Sequence, residues 1–350
     1  MLGDDDVPVA PIEGYLAHLT AIERSPNTVK AYAHDLKDYF VFLDHHALDW
    51  REVRLEDVGE FVAWLRLPAA GRSGLVAVLP SVQPAVGAVT VNRKLAAVGA
   101  FYLHHARHGV DVGDFLVAWK PGGRGSFKPF LHHISKGQSQ TRRVISLRAA
   151  VKLPRVLTAD EVQTILDACT RLRDRLLFAL LYETGMRIGE ALGLRHGDIA
   201  EAEREIRIEP RHNANGARVK SGRGRALPVG AELLRLYADY LHEEYGDLDS
   251  DYVFVNLFAA PIGQAMSYPA AYDLVMRLRR RTGIDFDPHW LRHTAATRML
   301  RDKVPIEVVS TLLGHASLAT TLDIYGHLTA EDARRVLDEA GWFAGRGVQL

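Results

Sequence analysis

Four short segments in the second half of the chain carry residue types suited to handling a phosphate ester. In TGMRIGEALGLRHGDI, residues 184–199, Arg187 and Glu190 stand at i, i+3. They share a helix face and can pair. In RVKSGRGRALPV, residues 218–229, Lys220 precedes a Ser-Gly turn at the tip of an expected hairpin. In HWLRHTAAT, residues 289–297, His289 and Arg292 again stand at i, i+3. In LLGHASLATTLDIYGH, residues 312–327, Gly314 ends a helix and His315 follows it. Ser317 can cap the next helix, which carries Tyr325 near its end. Taken singly, each segment also has an ordinary reading: a surface ion pair of little worth, a solvated turn lysine, an amphipathic core tyrosine. The third segment has the outline of the helical zinc motif HExxH. Position 290 is Trp, however, and Arg292 between the two histidines would repel a cation, so no metal site is expected.

Together the segments supply Arg187, Lys220, His289, Arg292, His315 and Tyr325, in that order. The order and its contexts resemble the tyrosine recombinase (phage integrase) family. Its signature is an arginine in TG-x-R-x-x-E, a hairpin lysine, H-x-x-R, a histidine in LGH and a C-terminal tyrosine. All six match by residue type, and the ten-residue gap from His315 to Tyr325 fits the family's nine or ten. The resemblance is strong over residues 154–330. It is weaker over 10–108, where SPNTVKAYAHDLKDYFVFL resembles the family's helical core-binding domain.

The resemblance implies a definite chemistry. Tyr325 is the nucleophile; its phenol, with an ordinary pKa of about 10, needs activation. Arg187 and Arg292 each present a planar fork to two phosphate oxygens and stabilise the charge that builds in the transition state. Losing one such donor typically costs about 3–4 kcal/mol. Lys220 donates the proton to the leaving 5′ oxygen, a role suited to a lysine whose pKa neighbouring arginines lower. His289 is the base or proton relay for Tyr325, and His315 hydrogen-bonds the phosphate. Glu190 orients an arginine or histidine, and Trp290 and His293 have packing or supporting roles. The implied product is a 3′-phosphotyrosyl link and a free 5′-hydroxyl. One phosphodiester replaces another, so resealing needs no ATP. Cationic side chains take the place of a metal, and the chain has no carboxylate cluster suited to Mg²⁺, so no cofactor is expected.

The elements that must position these groups read as mainly α with a small antiparallel β-sheet in the catalytic part. Apolar spacing predicts helices over 10–22, 28–45 and 55–66, and a fourth over about 90–108 with Thr90 as its cap. Ser25-Pro26 makes a cap and first-turn pair for the second. Residues 67–89 read as a loop. Thr158 followed by Glu161 is a capping box. Residues 205–211 and 226–229 alternate as strands of a two- or three-stranded meander. The expected organisation is a helical core-binding (SAM-like) DNA-binding domain over 1–110, a basic linker over 111–153 and a catalytic domain over 154–350. The resemblance adds a two-domain C-shaped clamp. It also implies a C-terminal helix, LTAEDARRVLDEAGWF, docked on its own or a neighbouring protomer.

The formal net charge is zero, but it is unevenly spread. Residues 111–153 hold 8 Lys/Arg against 2 Asp/Glu, while 1–110 hold 10 against 13 and 154–350 hold 25 against 28. This run reads as a solvated linker or as a strap along a phosphate backbone. The lone Cys169 excludes an internal disulfide and reads as an inert thiol in a reducing cytoplasm. No apolar run is long enough to span a membrane, and the acidic N-terminus has no secretory pattern. The partners implied are double-stranded DNA and a homotetramer on two DNA sites, with accessory proteins and the off-DNA oligomer left open, in a cytoplasmic, nucleoid-associated setting. The core-binding-like helices begin near residue 10, without the arm-site domain of lambda-like integrases, which points to a transposon-encoded, integron-like or Xer-like recombinase. The long linker over 111–153 departs from the compact Xer pattern, so a mobile-element integrase or transposase is preferred to an Xer-like resolution enzyme. Two other readings are a type IB topoisomerase, which would relax any supercoiled plasmid, and a non-catalytic DNA-binding regulator, which would tolerate Tyr325→Phe.

Overall fold

The computed structural model describes residues 9–68, 72, 84–111, 117–119, 141–143, 145–148, 155–315 and 317–322. Tyr325, the expected C-terminal helix, and most of the expected loop and linker lie outside the described residues. The chain divides into two compact units, residues 1–151 and 152–350.

The first unit is helical: α1 (Ala10–Ala21), α2 (Pro26–His45), α3 (Leu55–Arg66) and α4 (Ala88–Arg107). Ser25 caps α2, its Oγ accepting from Thr28 N–H at 3.1 Å. Helix α4 starts two residues before the expected position, with extended Gly87 as its cap instead of Thr90. Thr90 N–H instead donates to the Gly87 carbonyl at 3.0 Å, inside the first turn. Ile12, Leu36, Phe42, Phe61, Val98 and Phe101 form the core. Buried Asp35 on α2 is answered by Arg93 and Lys94 on α4. The expected linker is not wholly irregular. Its strands β1 (Val117–Trp119) and β2 (Thr141–Arg143) pair antiparallel, Ala118 opposite Arg142. Farther on, Asn92 clamps the chain: Leu147 N–H donates to Asn92 Oδ1 at 2.9 Å and Asn92 Nδ2 donates to Leu147 O at 2.8 Å. Ile145 and Leu147 thus pack on the helical core.

The second unit contains α5 (Ala159–Asp167), α6 (Leu172–Thr184), α7 (Ile188–Ala191), α8 (Ala231–Tyr240), α9 (Tyr268–Thr282), α10 (Pro288–Arg301) and α11 (Ile306–Leu313). A three-stranded antiparallel sheet runs β3 (Ile199–Ala200), β4 (Glu205–Ile208), β5 (Arg225–Pro228). Thr158 and Glu161 close the expected capping box at α5, at 3.1 and 2.8 Å. Helix α6 buries Leu176, Leu177, Phe178, Leu180 and Leu181, a run wider than a single apolar stripe. It packs against α8 and α10. Helix α10 is buried from Leu291 through Thr297, polar residues included. No helix among the described residues is long and apolar enough to cross a membrane. The fold is mainly α with one small antiparallel three-stranded sheet in the second unit.

Candidate active site

The site begins with a glycine. Gly185 ends α6 in the left-handed region at φ +65°, where L side chains are strained. A Cβ there would stand 2.9 Å from Leu313 Cδ2 and 3.2 Å from Ala295 Cβ. Only glycine lets α6, α10 and α11 close on one another at this point. Two residues later Arg187 caps α7. Its backbone N–H donates to Glu190 Oε2 at 2.9 Å and its Nη1 to Glu190 Oε1 at 3.1 Å. The Arg187–Glu190 pair therefore forms, but not as a surface pair, since Glu190 is buried.

Arg292, buried on α10, donates from Nη1 to Gly185 O at 2.8 Å and from Nη2 to Leu313 O at 2.7 Å. Arg187 Nη1 also approaches Leu313 O, at 3.4 Å, and its Nη2 approaches Gly314 O at 3.5 Å. Both guanidinium groups thus meet at the C-terminal end of α11. The unpaired carbonyls of a helix end carry partial negative charge, which offsets the repulsion between two cations.

Gly314, at φ +63°, turns the chain out of α11 and delivers His315 beside the arginines. His315 Nδ1 shares a 2.7 Å hydrogen bond with Thr321 Oγ1. Burial, then the charges of Arg292, Arg187 and Arg225, push its pKa down to about 4. His289 stands at the start of α10, where Asp287 Oδ1 accepts from its backbone N–H at 2.7 Å. Its pKa is lowered first by desolvation, then by Arg292, and further by Arg187 and Lys220, with Asp287 opposing. One turn on, His293 lies edge-on to His289, ring centroids 4.3 Å apart. Burial, then His289 and Arg292, lower the His293 pKa to about 4. All three imidazoles are thus held below their ordinary range, which favours their neutral form at neutral pH.

Lys220 is exposed in a turn between β4 and β5, closed by Gly222 N–H to Val219 O at 3.1 Å. Its charge is the last in rank of those that lower the His289 pKa, so the two lie within electrostatic reach of each other. Arg187, Lys220, His289, Arg292 and His315 are brought together, with Glu190 behind Arg187. Trp290 is half-buried, packs on the core and lies under Arg155 at 4.7 Å. Cys169, half-buried, has its thiol pKa raised to about 12, first by desolvation.

One residue escaped the sequence reading. Arg225, the first residue of β5, donates from Nη2 and Nη1 to Glu190 at 2.7 and 3.2 Å, and from Nε to Leu312 O at 2.7 Å. Strand parity held the signal. Leu227 is buried opposite Ile206, so Arg225, two residues earlier and opposite Ile208, shares the inward face.

The scaffold and sequence agree with known proteins. Residues 155–332 match the phage integrase family, and residues 12–109 match the phage integrase N-terminal SAM-like domain. Transposase A from transposon Tn554 of Staphylococcus aureus is 38% identical over 330 residues, covering 93% of this chain and 89% of that protein. Tyrosine recombinase XerD of Mycobacterium tuberculosis is 30% identical over 344 residues, covering 93% and 95%. The structure of the Tn1549 transposon integrase in complex with transposon right end DNA shares the fold. Its TM-score is 0.64 at 16% identity, covering 94% of this chain and 99% of that one. On this evidence of sequence and fold, the chain belongs to the phage integrase family of tyrosine site-specific recombinases.

Proposed function

We propose that this recombinase cleaves and rejoins double-stranded DNA through a 3′-phosphotyrosyl intermediate on Tyr325, as a mobile-element integrase or transposase. The observation that carries the reading is the meeting of Arg187 and Arg292 at the Leu313 carbonyl, beside neutral His315. Two permanently charged forks at one point suit a phosphodiester, because each can address two of its oxygens. In this reading they stabilise the pentavalent transition state, and His315 hydrogen-bonds the phosphate. His289, neutral and therefore able to accept a proton, takes it from the Tyr325 phenol. Lys220 gives a proton to the departing 5′ oxygen. Glu190 holds Arg187.

Residues 1–110 act in this proposal as the core-binding domain and residues 111–153 as a basic strap on the phosphate backbone. Residues 154–350 are the catalytic domain. Each protomer brings one tyrosine, and exchanging two duplexes cuts four strands, so the working assembly is a homotetramer on two DNA sites. The higher identity to a transposase than to an Xer recombinase favours the mobile-element assignment over chromosome or plasmid resolution.

The test is a nicked suicide duplex bearing the element's end sequence, incubated with full-length protein in EDTA. A denaturation-resistant protein–DNA adduct is expected, and none with Tyr325→Phe. An adduct of equal yield from Tyr325→Phe, or a strict need for a divalent metal, contradicts the proposal.

A further inference from the structure

Glu190 poses a problem of charge. Its side chain is 0% exposed, and it sits beside an arginine that the reaction needs. A buried carboxylate must find a counter-charge or take up a proton. Were Arg187 that counter-charge, its guanidinium would be committed to Glu190 and withdrawn from a phosphate.

The structure gives Glu190 a different partner. Arg225 grips both carboxylate oxygens, at 2.7 and 3.2 Å, and its third donor, Nε, is fixed on Leu312 O at 2.7 Å. Its side chain is 8% exposed. Arg187 makes one 3.1 Å side-chain bond to the carboxylate, its other contacts are 3.4 and 3.5 Å, and its side chain is 23% exposed. Burial drives the Glu190 pKa up, yet the net shift is downward. The Arg225 hydrogen bond and charge are the leading causes of that reversal, ahead of Arg187. Arg225 also backs the turn that delivers His315: a Cβ on Gly314 would stand 2.8 Å from Arg225 Nη1.

We propose that Arg225 is a positioning residue that serves as the counter-ion of Glu190, leaving the guanidinium of Arg187 available to the scissile phosphate. The proposal rests on the recombinase reading above. A lysine could not replace the arginine fully, because one ammonium cannot hold a bidentate carboxylate contact and the Leu312 carbonyl in the same fixed plane.

The experiment measures single-turnover adduct formation on the nicked duplex by full-length wild type, Arg225→Gln, Arg225→Lys, Glu190→Gln and the double variant Glu190→Gln/Arg225→Gln. Thermal unfolding checks that each is folded. Arg225→Gln leaves Glu190 with Arg187 alone, and cleavage is expected to fall about 100-fold, as for loss of a phosphate donor. The double variant removes the charge that needed neutralising, and should cleave at least about tenfold faster than Arg225→Gln. Arg225→Lys keeps the charge and should stay within about tenfold of wild type. A residue that merely holds a loop would gain nothing from losing a second buried contact. The proposal is overturned if Arg225→Gln cleaves like wild type, or if the double variant is no faster than Arg225→Gln. It is equally overturned if folded Arg225→Lys falls below a hundredth of wild type, a comparison that stands even where Arg225→Gln does not fold. Failure of the wild type to form any adduct would instead sink the recombinase reading itself.

Discussion

At the scale of single residues, the candidate site is a balance of cations against helix-end carbonyls and one buried carboxylate. Replacing Arg292 by Gln removes a charge held at 2.7 Å on Leu313 O and at 2.8 Å on Gly185 O. Adduct formation should fall about 10²–10³-fold in rate, read by single-turnover cleavage. The histidines make a separate prediction about acid. His293 carries a folded pKa of about 4 against 6.5 in its ordinary state. Between those values the unfolded chain holds more protons than the folded one, so stability rises with pH across the window and is lost as pH falls from 6.5 towards 4. His293 is buried, and its share is at most about 3 kcal/mol. Half-buried His315 adds in the same direction. Thermal unfolding followed from pH 7 to 4 should show a falling midpoint, with a shallower fall in His293→Gln. An equal slope in both proteins would contradict the assignment.

At the scale of elements, short turns decide where the charged groups land. Gly185→Ala adds a Cβ in a left-handed backbone and pushes it to 2.9 Å from Leu313 Cδ2. It should destabilise the protein by about 1–3 kcal/mol and slow cleavage as well, because the Leu313 carbonyl anchors both arginines. Thr158→Ala breaks the α5 capping box and should cost about 1 kcal/mol of stability while leaving the cleavage rate close to wild type. Comparing the two variants by denaturant unfolding and by adduct rate separates a site-bearing turn from a scaffold cap. These elements differ in how well the sequence announced them. Ser25-Pro26 and Thr158–Glu161 were legible because local chemistry alone fixes a cap. Arg187–Glu190 and His289–Arg292 were legible because helical spacing sets their faces. The start of α4 was misplaced at Thr90, since Gly87 begins the helix with no side-chain signal. The β1–β2 ribbon and the Asn92–Leu147 clamp went unread because they join residues far apart in the chain. Arg225 was lost for a similar reason: a basic turn lists several arginines, and only the pairing of β5 with β4 says which one faces inward.

At the scale of the whole molecule, a chain of zero net charge has to concentrate the charge that meets DNA. Residues 111–153, with 8 Lys/Arg against 2 Asp/Glu, are the densest basic run, and the first unit holds its far end through Asn92 and Leu147. Each lysine or arginine that neutralises a phosphate steepens the dependence of log affinity on log salt by about 0.9. Replacing Lys128, Lys136, Arg142 and Arg143 together by Gln should therefore flatten that slope by up to about 4 and weaken binding to any duplex sequence alike. Binding measured by fluorescence anisotropy across a salt series reads this directly. An unchanged slope would leave the run a solvated linker.

The most direct measurement of the central claim is to find the amino acid that carries the DNA. Adduct formed by the full-length protein on the nicked duplex is digested with protease and nuclease, and the nucleotide-bearing peptide is sequenced by mass spectrometry. The expected result is a single peptide containing Tyr325, modified by a 3′-phosphate-linked nucleotide, its yield falling sharply in Arg187→Gln and Arg292→Gln. A nucleotide on any other residue, or a yield indifferent to both arginines, would contradict the account.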